Sequence, residues 1–176
     1  MKELKNISDV EEVPTEVKTR VAARAIVIDS EGKIPLLFVS KKHYHKLPGG
    51  GVEEGEDEIQ GLHREIKEET GCVAKIDGEV GIVREYRSKW NLLQTSHCFH
   101  GKVLSKGEPE FTQKELCNGF EIVWLTLDEA IETIKDDSPE DYEGQFVVQR
   151  DLCLLEAVKE LRDKYHYNQS FFPLSP

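Results

Sequence analysis

The segment between residues 50 and 72 concentrates acidic side chains in a pattern that could bind a metal ion. At about 100° per residue along a helix, its carboxylates fall on one arc, which comprises Glu58, Glu65, Glu68 and Glu69. Spacings of three and four residues place like charges side by side, which destabilises a helix. The nearby basic residues, Arg64 and Lys67, project in other directions. Carboxylates without basic partners suit a hard divalent cation such as Mg2+, which takes oxygen ligands.

The same pattern is also typical of a helix face that is simply solvated. The residues that precede the helix favour the functional interpretation. Gly49, Gly50 and Gly51 follow Leu47-Pro48, and glycines allow the backbone to approach a ligand or metal closely, although three glycines can also form an ordinary loop. We therefore expect a binding site where this turn meets the acidic helix.

Local signals define the helix that carries these carboxylates. Asp57, with Gln60 three residues later, resembles a capping box and predicts the start of the helix. Gly71 predicts its end, because glycine readily adopts the left-handed conformation that terminates helices. The apolar residues on a separate arc predict the face that packs on a sheet, and they are Ile59, Leu62 and Ile66.

The rest of the chain predicts a mixed β-sheet with helices packed on it. A turn signal at residues 29–32 joins two strands that we expect to pair as a hairpin. The helical period near the C-terminus predicts a helix that either closes the core or forms a dimer surface. The predicted strands span residues 21–28, 36–40, 73–86, 92–103 and 120–125, and the predicted helices span residues 57–70, 127–134 and 145–165.

Composition and length constrain the class of protein. The 176 residues, with 38% hydrophobic content, suit a single domain. We expect an N-terminal arm over residues 1–16, a core over about 18–135 and a C-terminal helix over about 145–165. The net charge of -11 argues against a broad nucleic-acid surface, because basic patches bind phosphate backbones. Four scattered cysteines, without a signal sequence or a long apolar run, predict a cytoplasmic protein with no membrane partner.

The fixed positions of the acidic segment resemble the Nudix box. That pattern is glycine, five residues, glutamate, seven residues, and then Arg-Glu-apolar-any-Glu-Glu-any-Gly-apolar. Gly50, Glu56 and the run from Arg64 to Cys72 fill every fixed position. The resemblance implies an α/β fold, namely a Nudix-type α/β/α sandwich with a mixed β-sheet, to which this chain adds an extra C-terminal helix.

The resemblance also implies roles for residues of the box. Glu65 and Glu68 are the catalytic carboxylates, with Glu65 a candidate general base for the attacking water, and Arg64 orients a catalytic glutamate through a salt bridge. Supporting roles fall to Gly50, Glu56 and Gly71, and Glu56 could alternatively hold a metal-bound water. The implied cofactor is Mg2+, with Mn2+ as an alternative, and the implied ligands are Glu65, Glu68, Glu69 and the Gly49 carbonyl.

Residues outside the box complete the predicted site. Many relatives add an acidic residue from a loop before a later strand, for which Glu115 and Glu121 are both candidates. We favour Glu115 as a catalytic residue, because the chain after it leads into the strand at 120–125. Four residues could bind phosphate or stack on a base, although such residues as often pack or pair at the surface. They are Arg24, Arg84, Tyr86 and Arg87, and Tyr44, just before the glycine turn, could also reach the site.

The resemblance implies metal-dependent hydrolysis of a diphosphate linkage, by water attack, in a small nucleoside-diphosphate-linked substrate. Two alternatives remain open. A non-catalytic Nudix module would bind or sense a nucleotide without cutting it, but such modules generally lose carboxylates of the box. An isoprenoid-diphosphate isomerase would need a catalytic cysteine, for which Cys98 could serve. We expect the protein to be a monomer or a homodimer.

Overall fold

The computed structural model describes residues 1–165, which form two β-sheets and four α-helices. The four-stranded sheet contains, in spatial order, β1 (Glu3–Ser8), β5 (Val73–Arg87), β6 (Leu92–Ser105) and β2 (Lys18–Ile28). The three-stranded sheet contains, in spatial order, β4 (Tyr44–Lys46), β3 (Lys33–Val39) and β7 (Phe120–Thr126).

The four-stranded sheet is mixed, as predicted. β1 runs parallel to β5, β5 runs antiparallel to β6, and β6 runs parallel to β2. The start of the chain, β1, is therefore an edge strand of this sheet. β5 and β6 are paired along most of their length, and the register of the pairing shifts at irregularities near Gly78 and Gly81.

The predicted hairpin between the second and third strands is wrong. β2 pairs with β6, whereas β3 lies between β4 and β7 in the other sheet. The turn itself is present, and the Asp29 carboxylate accepts hydrogen bonds from the amides of Glu31 and Lys33, but it carries the chain between the sheets. Residues 22–27 of β2 are all buried. Both faces of this strand are therefore covered, which a hairpin with one solvated face does not allow.

Three of the four helices described within residues 1–165 begin with a capping box. In α1 (Glu58–Thr70), the side chains of Asp57 and Gln60 accept hydrogen bonds from each other's amides, and Gly71 ends the helix with a φ of 68°. α2 (Gln113–Asn118) and α3 (Leu127–Asp136) begin in the same way. The last helix is α4 (Tyr142–Tyr165). α2 and the strand β4 are too short to show a period in the sequence.

Helices cover both faces of the four-stranded sheet. On one face, Leu62 and Ile66 of α1 pack against β2 and β6, and Ile59 joins this cluster, as predicted. On the other face, α3, α4 and the three-stranded sheet enclose a larger cluster, to which α4 contributes Phe146, Leu154, Leu155 and Val158. The apolar face of α4 is thus used in the core. Within residues 1–165, no helix has the length and apolar character needed to cross a membrane.

Candidate functional site

The glycine turn lies between β2 and α1. Backbone hydrogen bonds tie the carbonyls of Pro48 and Gly50 to β2. On the other side, the Gly49 N–H donates to Glu69 Oε2 at 2.7 Å. Gly49 has a φ of 130°, and a Cβ at this position would collide with the Ala23 carbonyl, so that only glycine fits. The turn therefore places backbone groups beside the acidic face of α1.

Arg64 is the centre of the acidic cluster. Its Nε and Nη2 donate to the two oxygens of Glu56 at 2.9 and 3.0 Å, and Nη2 also donates to the Gly51 carbonyl at 3.1 Å. Its Nη1 donates to Glu65 Oε1 at 2.9 Å and to Glu68 Oε2 at 3.2 Å. The prediction that this arc lacks a basic partner is therefore wrong, because the long arginine side chain reaches around the helix.

The contact between Glu56 and Arg64 fixes the charge state of both groups. The two hydrogen bonds from Arg64 stabilise the ionised carboxylate and lower the pKa of Glu56 to about 2. Glu56, and then Glu65, raise the pKa of Arg64 above its usual value. Glu56 thereby anchors Arg64, and Arg64 in turn holds the catalytic carboxylates predicted at Glu65 and Glu68.

Glu69 is the buried carboxylate of the box, with only 2% of its surface exposed. Burial raises its pKa, and the charge of Lys46 opposes this effect. Lys46 Nζ lies 2.6 Å from Glu69 Oε1, while the Gly49 amide binds the other oxygen. A lysine from the short strand β4 is therefore the direct partner of a predicted metal ligand.

The predicted metal ligands lie close to one another but do not form a preformed cluster. Among residues 1–165, no three His, Cys, Asp or Glu side chains converge on a position that could hold an ion. Glu65 and Glu69 line the same cleft, and Arg64 joins Glu65 to Glu68. The donor types fit a hard divalent cation, because carboxylate oxygens lie beside a turn in which the Gly49 carbonyl has no backbone donor from the described residues.

A cleft of about 260 Å³ opens beside the box. Apolar surface comes from Val39, Phe120 and Val147. The acidic groups are Glu65 and Glu69 of α1, with Glu115 and Glu143 from α2 and α4. Much of the remaining lining is basic. The basic side chains are Arg20, Arg24, Lys42, Arg87, Lys114 and Arg150, together with Lys46. Such a lining suits a substrate that carries phosphate groups, since arginine and lysine bind phosphate oxygens through charge-assisted hydrogen bonds.

The structure places three of the five predicted substrate residues in this cleft. Arg24, Tyr44 and Arg87 line it, and all three are buried. Arg84 instead forms an ion pair at the surface, and the Tyr86 hydroxyl bonds to a side chain of the β5–β6 turn. Neither of these two side chains lines the cleft. Alternate residues of a strand face opposite sides, and Arg87 is the β5 residue that lines it.

Glu115 is closer to the predicted site than Glu121, but its carboxylate is engaged at a helix start. Glu115 lines the cleft. Its Oε2 accepts hydrogen bonds from the Thr112 amide and hydroxyl at 2.7 and 2.8 Å, as part of the capping box of α2. Glu121 lies on β7 opposite Phe38 and does not line the cleft. Any catalytic use of Glu115 therefore competes with its role as a cap.

A buried polar network, whose members come from distant parts of the sequence, supports the cleft from behind. Glu85 is fully buried and accepts hydrogen bonds from Arg87 and Gln94, each at 2.9 Å. Arg150 Nη1 lies 3.4 Å from the same carboxylate. Although burial opposes ionisation, Arg150 and Arg87 hold the pKa of Glu85 below its usual value. The carboxylate is therefore charged and fixed in position.

The helix α4 joins this network to the glycine turn. Asp151 is fully buried, and its carboxylate accepts hydrogen bonds from Arg150 at 2.6 and 3.0 Å. It also accepts from the Leu47 amide at 2.9 Å. A signal for this contact exists in the sequence: Asp151 lies three residues after Val148 and four before Leu155, on the apolar face of the predicted helix. A charged residue on a buried face requires a partner.

Comparison with known proteins agrees with this geometry. A model of the NUDIX domain matches residues 18–144. Nudix hydrolase 7 of Arabidopsis thaliana is 38% identical over 68 residues, which cover 35% of this chain and 24% of that protein. The match therefore spans about a quarter of the length of that relative.

Two solved structures have the same fold. A NUDIX hydrolase from Nitrosomonas europaea aligns with a TM-score of 0.59 at 22% identity, over 81% of this chain and 90% of that chain. A MutT protein from Methanosarcina mazei Go1 aligns with a TM-score of 0.58 at 19% identity, over 85% and 99% of the two chains. The mixed α/β fold, the complete box on α1 and the domain match lead to one conclusion: this chain belongs to the Nudix hydrolase family.

Proposed function

We propose that this protein hydrolyses a diphosphate linkage in a small nucleoside-diphosphate-linked substrate, by attack of water and with Mg2+ as cofactor. The observation that carries the proposal is the contact of Arg64 with Glu65 and Glu68. It fixes two carboxylates of the box, of which Glu65 lines a cleft that also carries seven basic side chains. Mn2+ is an alternative ion, because it also accepts carboxylate and water ligands.

Three carboxylates of α1 supply the metal ligands in this proposal: Glu65, Glu68 and Glu69. A bound divalent ion neutralises the diphosphate and lowers the pKa of a coordinated water. Full use of Glu69 Oε1 as a ligand requires Lys46 to move, because its ammonium group contacts that oxygen. Once released, Lys46 remains in the cleft lining and can bind a phosphate oxygen of the substrate.

The protein groups around the cleft orient the reactants. Arg64 keeps the Glu65 carboxylate in one position, so that Glu65 can accept the proton of the attacking water. Glu56 holds Arg64 from the opposite side and does not line the cleft. Basic side chains, including Arg20 and Lys42, bind the phosphates and place the linkage next to α1.

The two alternative functions receive less support. A non-catalytic module would not need Glu65, Glu68 and Arg64 in a fixed arrangement, and this chain retains all three. An isomerase would need a reactive cysteine in the cleft. Cys98 is fully buried, does not line the cleft, and burial raises the pKa of its thiol well above the usual range. A thiol in that environment is a weak nucleophile.

The test is turnover of a substrate panel by the wild type and two matched variants. The panel contains nucleoside triphosphates, nucleotide sugars, dinucleoside polyphosphates, ADP-ribose and NADH, each with and without Mg2+. We expect metal-dependent release of a nucleotide product that falls by about a hundredfold or more in Glu68→Gln. Glu132→Gln, which changes an exposed glutamate of α3 outside the cleft, should retain the rate. Folded protein that binds the substrates without cutting any of them would favour the non-catalytic module.

A cytoplasmic location and a monomeric or homodimeric state accompany this proposal. The location is inferred from the four scattered cysteines. Sedimentation of the purified protein would establish its oligomeric state, and a trimer or larger assembly would contradict the proposal.

A further inference from the structure

Arg24 is a buried cation without a carboxylate partner. Its side chain lines the cleft, although only 6% of the residue is exposed. Its Nη1 donates a hydrogen bond to the Ala23 carbonyl at 3.1 Å, whereas its buried Nε has no hydrogen-bond partner. Among residues 1–165, no carboxylate forms an ion pair with Arg24. Burial, and then the nearby charge of Arg150, lower the pKa of Arg24 to about 10. Such a buried charge is unfavourable in the free protein.

Two further arginines reach the same part of the cleft. Arg87 lines the cleft, and its terminal nitrogens contact Glu85 at 2.9 Å and Glu143 at 3.5 Å. Arg150, from α4, lines the cleft while Glu85 and Asp151 hold its guanidinium. Both guanidinium groups are therefore fixed before any ligand arrives. The acidic groups of this network act on Arg24 only at a distance and do not contact it.

From this geometry we infer that Arg24, Arg87 and Arg150 form a phosphate subsite, which binds a phosphate of the substrate in addition to the two phosphates of the hydrolysed linkage. The inference rests on the proposed function for the identity of the reaction. It narrows the substrate to a class that carries a further phosphate, such as a nucleoside triphosphate.

Phosphate matches this phosphate subsite for two reasons. Within residues 1–165 the Arg24 guanidinium makes one hydrogen bond, to the Ala23 carbonyl, and it lines the cleft, so its other terminal N–H groups are available to a phosphate oxygen. The planar guanidinium group also suits phosphate recognition. The Arg24 guanidinium is already desolvated in the folded protein. An anion beside it therefore offsets its positive charge without adding that desolvation cost. The site is thus pre-organised, which favours affinity because little further ordering is needed on binding.

The phosphate subsite combines the family domain with a helix that extends beyond it. Arg24 and Arg87 lie within residues 18–144, the range that matches the domain, and Arg150 lies after it. α4 therefore contributes directly to the cleft that holds the substrate. We expect the additional phosphate to distinguish this chain from relatives that lack an arginine at the equivalent place.

Calorimetric titration with pyrophosphate in EDTA tests anion binding without metal and without hydrolysis. We expect the wild type to bind pyrophosphate, and Arg24→Met to bind it about tenfold or more weakly. Arg162→Met is the matched control, because Arg162 forms ion pairs near the surface and does not line the cleft, and it should retain the wild-type affinity. Absence of binding by the wild type, or equal affinity of the wild type and Arg24→Met, would overturn the inference.

A second measurement separates a ligand-binding role from a structural one. If Arg24 stabilised the fold, Arg24→Met would lower the melting temperature. We expect the melting temperature to stay level or to rise, because the variant removes an unpaired buried charge. Glu68→Gln should retain pyrophosphate binding in EDTA while it loses hydrolysis. Failure of the hydrolysis proposal would therefore leave this titration unaffected.

The additional phosphate is tested by comparing two substrates in the presence of Mg2+. For Arg24→Met, we expect KM to rise about tenfold for a nucleoside triphosphate and to change little for the corresponding diphosphate. Equal increases for both substrates would show that Arg24 contacts the hydrolysed linkage itself, and this outcome would overturn the assignment of an additional phosphate.

Discussion

Replacement of Arg150 by methionine should destabilise the protein strongly, and the buried network explains why. The side chain is 1% exposed and joins Glu85 to Asp151, both of which are fully buried. In the variant, Arg87 still contacts Glu85, but the Leu47 amide is the main remaining partner of Asp151. Removing one partner from a buried ion pair costs about 3–5 kcal/mol, because the other charge stays desolvated.

Urea denaturation and thermal melting would measure this loss. In a domain of this size, about 1 kcal/mol corresponds to 2–4 °C, so we expect the melting temperature to fall by roughly 6–20 °C. Arg162→Met, on the same helix, is the matched control. Arg162 pairs with Asp128 and Asp163 near the surface, and such pairs contribute about 0–1 kcal/mol. If the two variants lost similar amounts of stability, the argument that burial makes the contacts of Arg150 costly to break would be refuted.

A double variant distinguishes loss of charge balance from loss of packing. Addition of Asp151→Asn to Arg150→Met removes the carboxylate that the first substitution leaves unpaired. Part of the lost stability should therefore return, since the two effects are coupled through one contact. If the losses were simply additive, the cost would come from altered packing of α4 instead.

Two further predictions concern the box. Gly50→Ala should reduce hydrolysis by about tenfold or more, because a Cβ there would occupy the space of the Glu65 carboxylate. An unchanged kcat, with an unchanged melting temperature, would show that the carboxylate can shift without consequence. Glu56→Gln should lower the free energy of unfolding near neutral pH. Because Arg64 lowers the folded pKa of Glu56 from 4.5 to about 2, this stabilisation is present above pH 4.5 and is lost as the pH falls towards 2. The stabilities of the wild type and variant should converge over that range, and a constant difference would contradict the argument.

The elements that the sequence predicts well are those with local signals. α1 begins at its capping box and ends at Gly71, and its apolar residues pack on the sheet as expected. The hairpin fails for the opposite reason. Strand pairing depends on distant partners, and β2 finds its partner in β6, more than sixty residues away in the chain. A turn signal at residues 29–32 specifies a reversal of direction but does not specify which sheet the next strand joins.

The site shows the same division between local and distant information. The box residues follow one another along α1, so their spacing alone brings Glu65 and Glu68 within reach of Arg64. Arg84 and Tyr86 lie on the face of β5 opposite to that of Arg87. Successive residues of a strand point to opposite faces, so an error of one residue in the register assigns the wrong side chains to the cleft. The buried partners of Arg150 come from β5 and from its own helix. No spacing rule along the chain relates position 85 to position 150, and only the packed structure shows that they meet.

The contact between Asp151 and the Leu47 amide also has a consequence for how sequences in this family are compared. It makes the geometry of the glycine turn depend on a residue of α4 that lies after residue 144, where the matched domain ends. Two relatives with identical boxes can therefore differ in specificity through substitutions that an alignment of the domain alone would leave out. Surveys of substrate choice among such proteins should extend past the domain boundary and record what stands at the positions of Arg150 and Asp151.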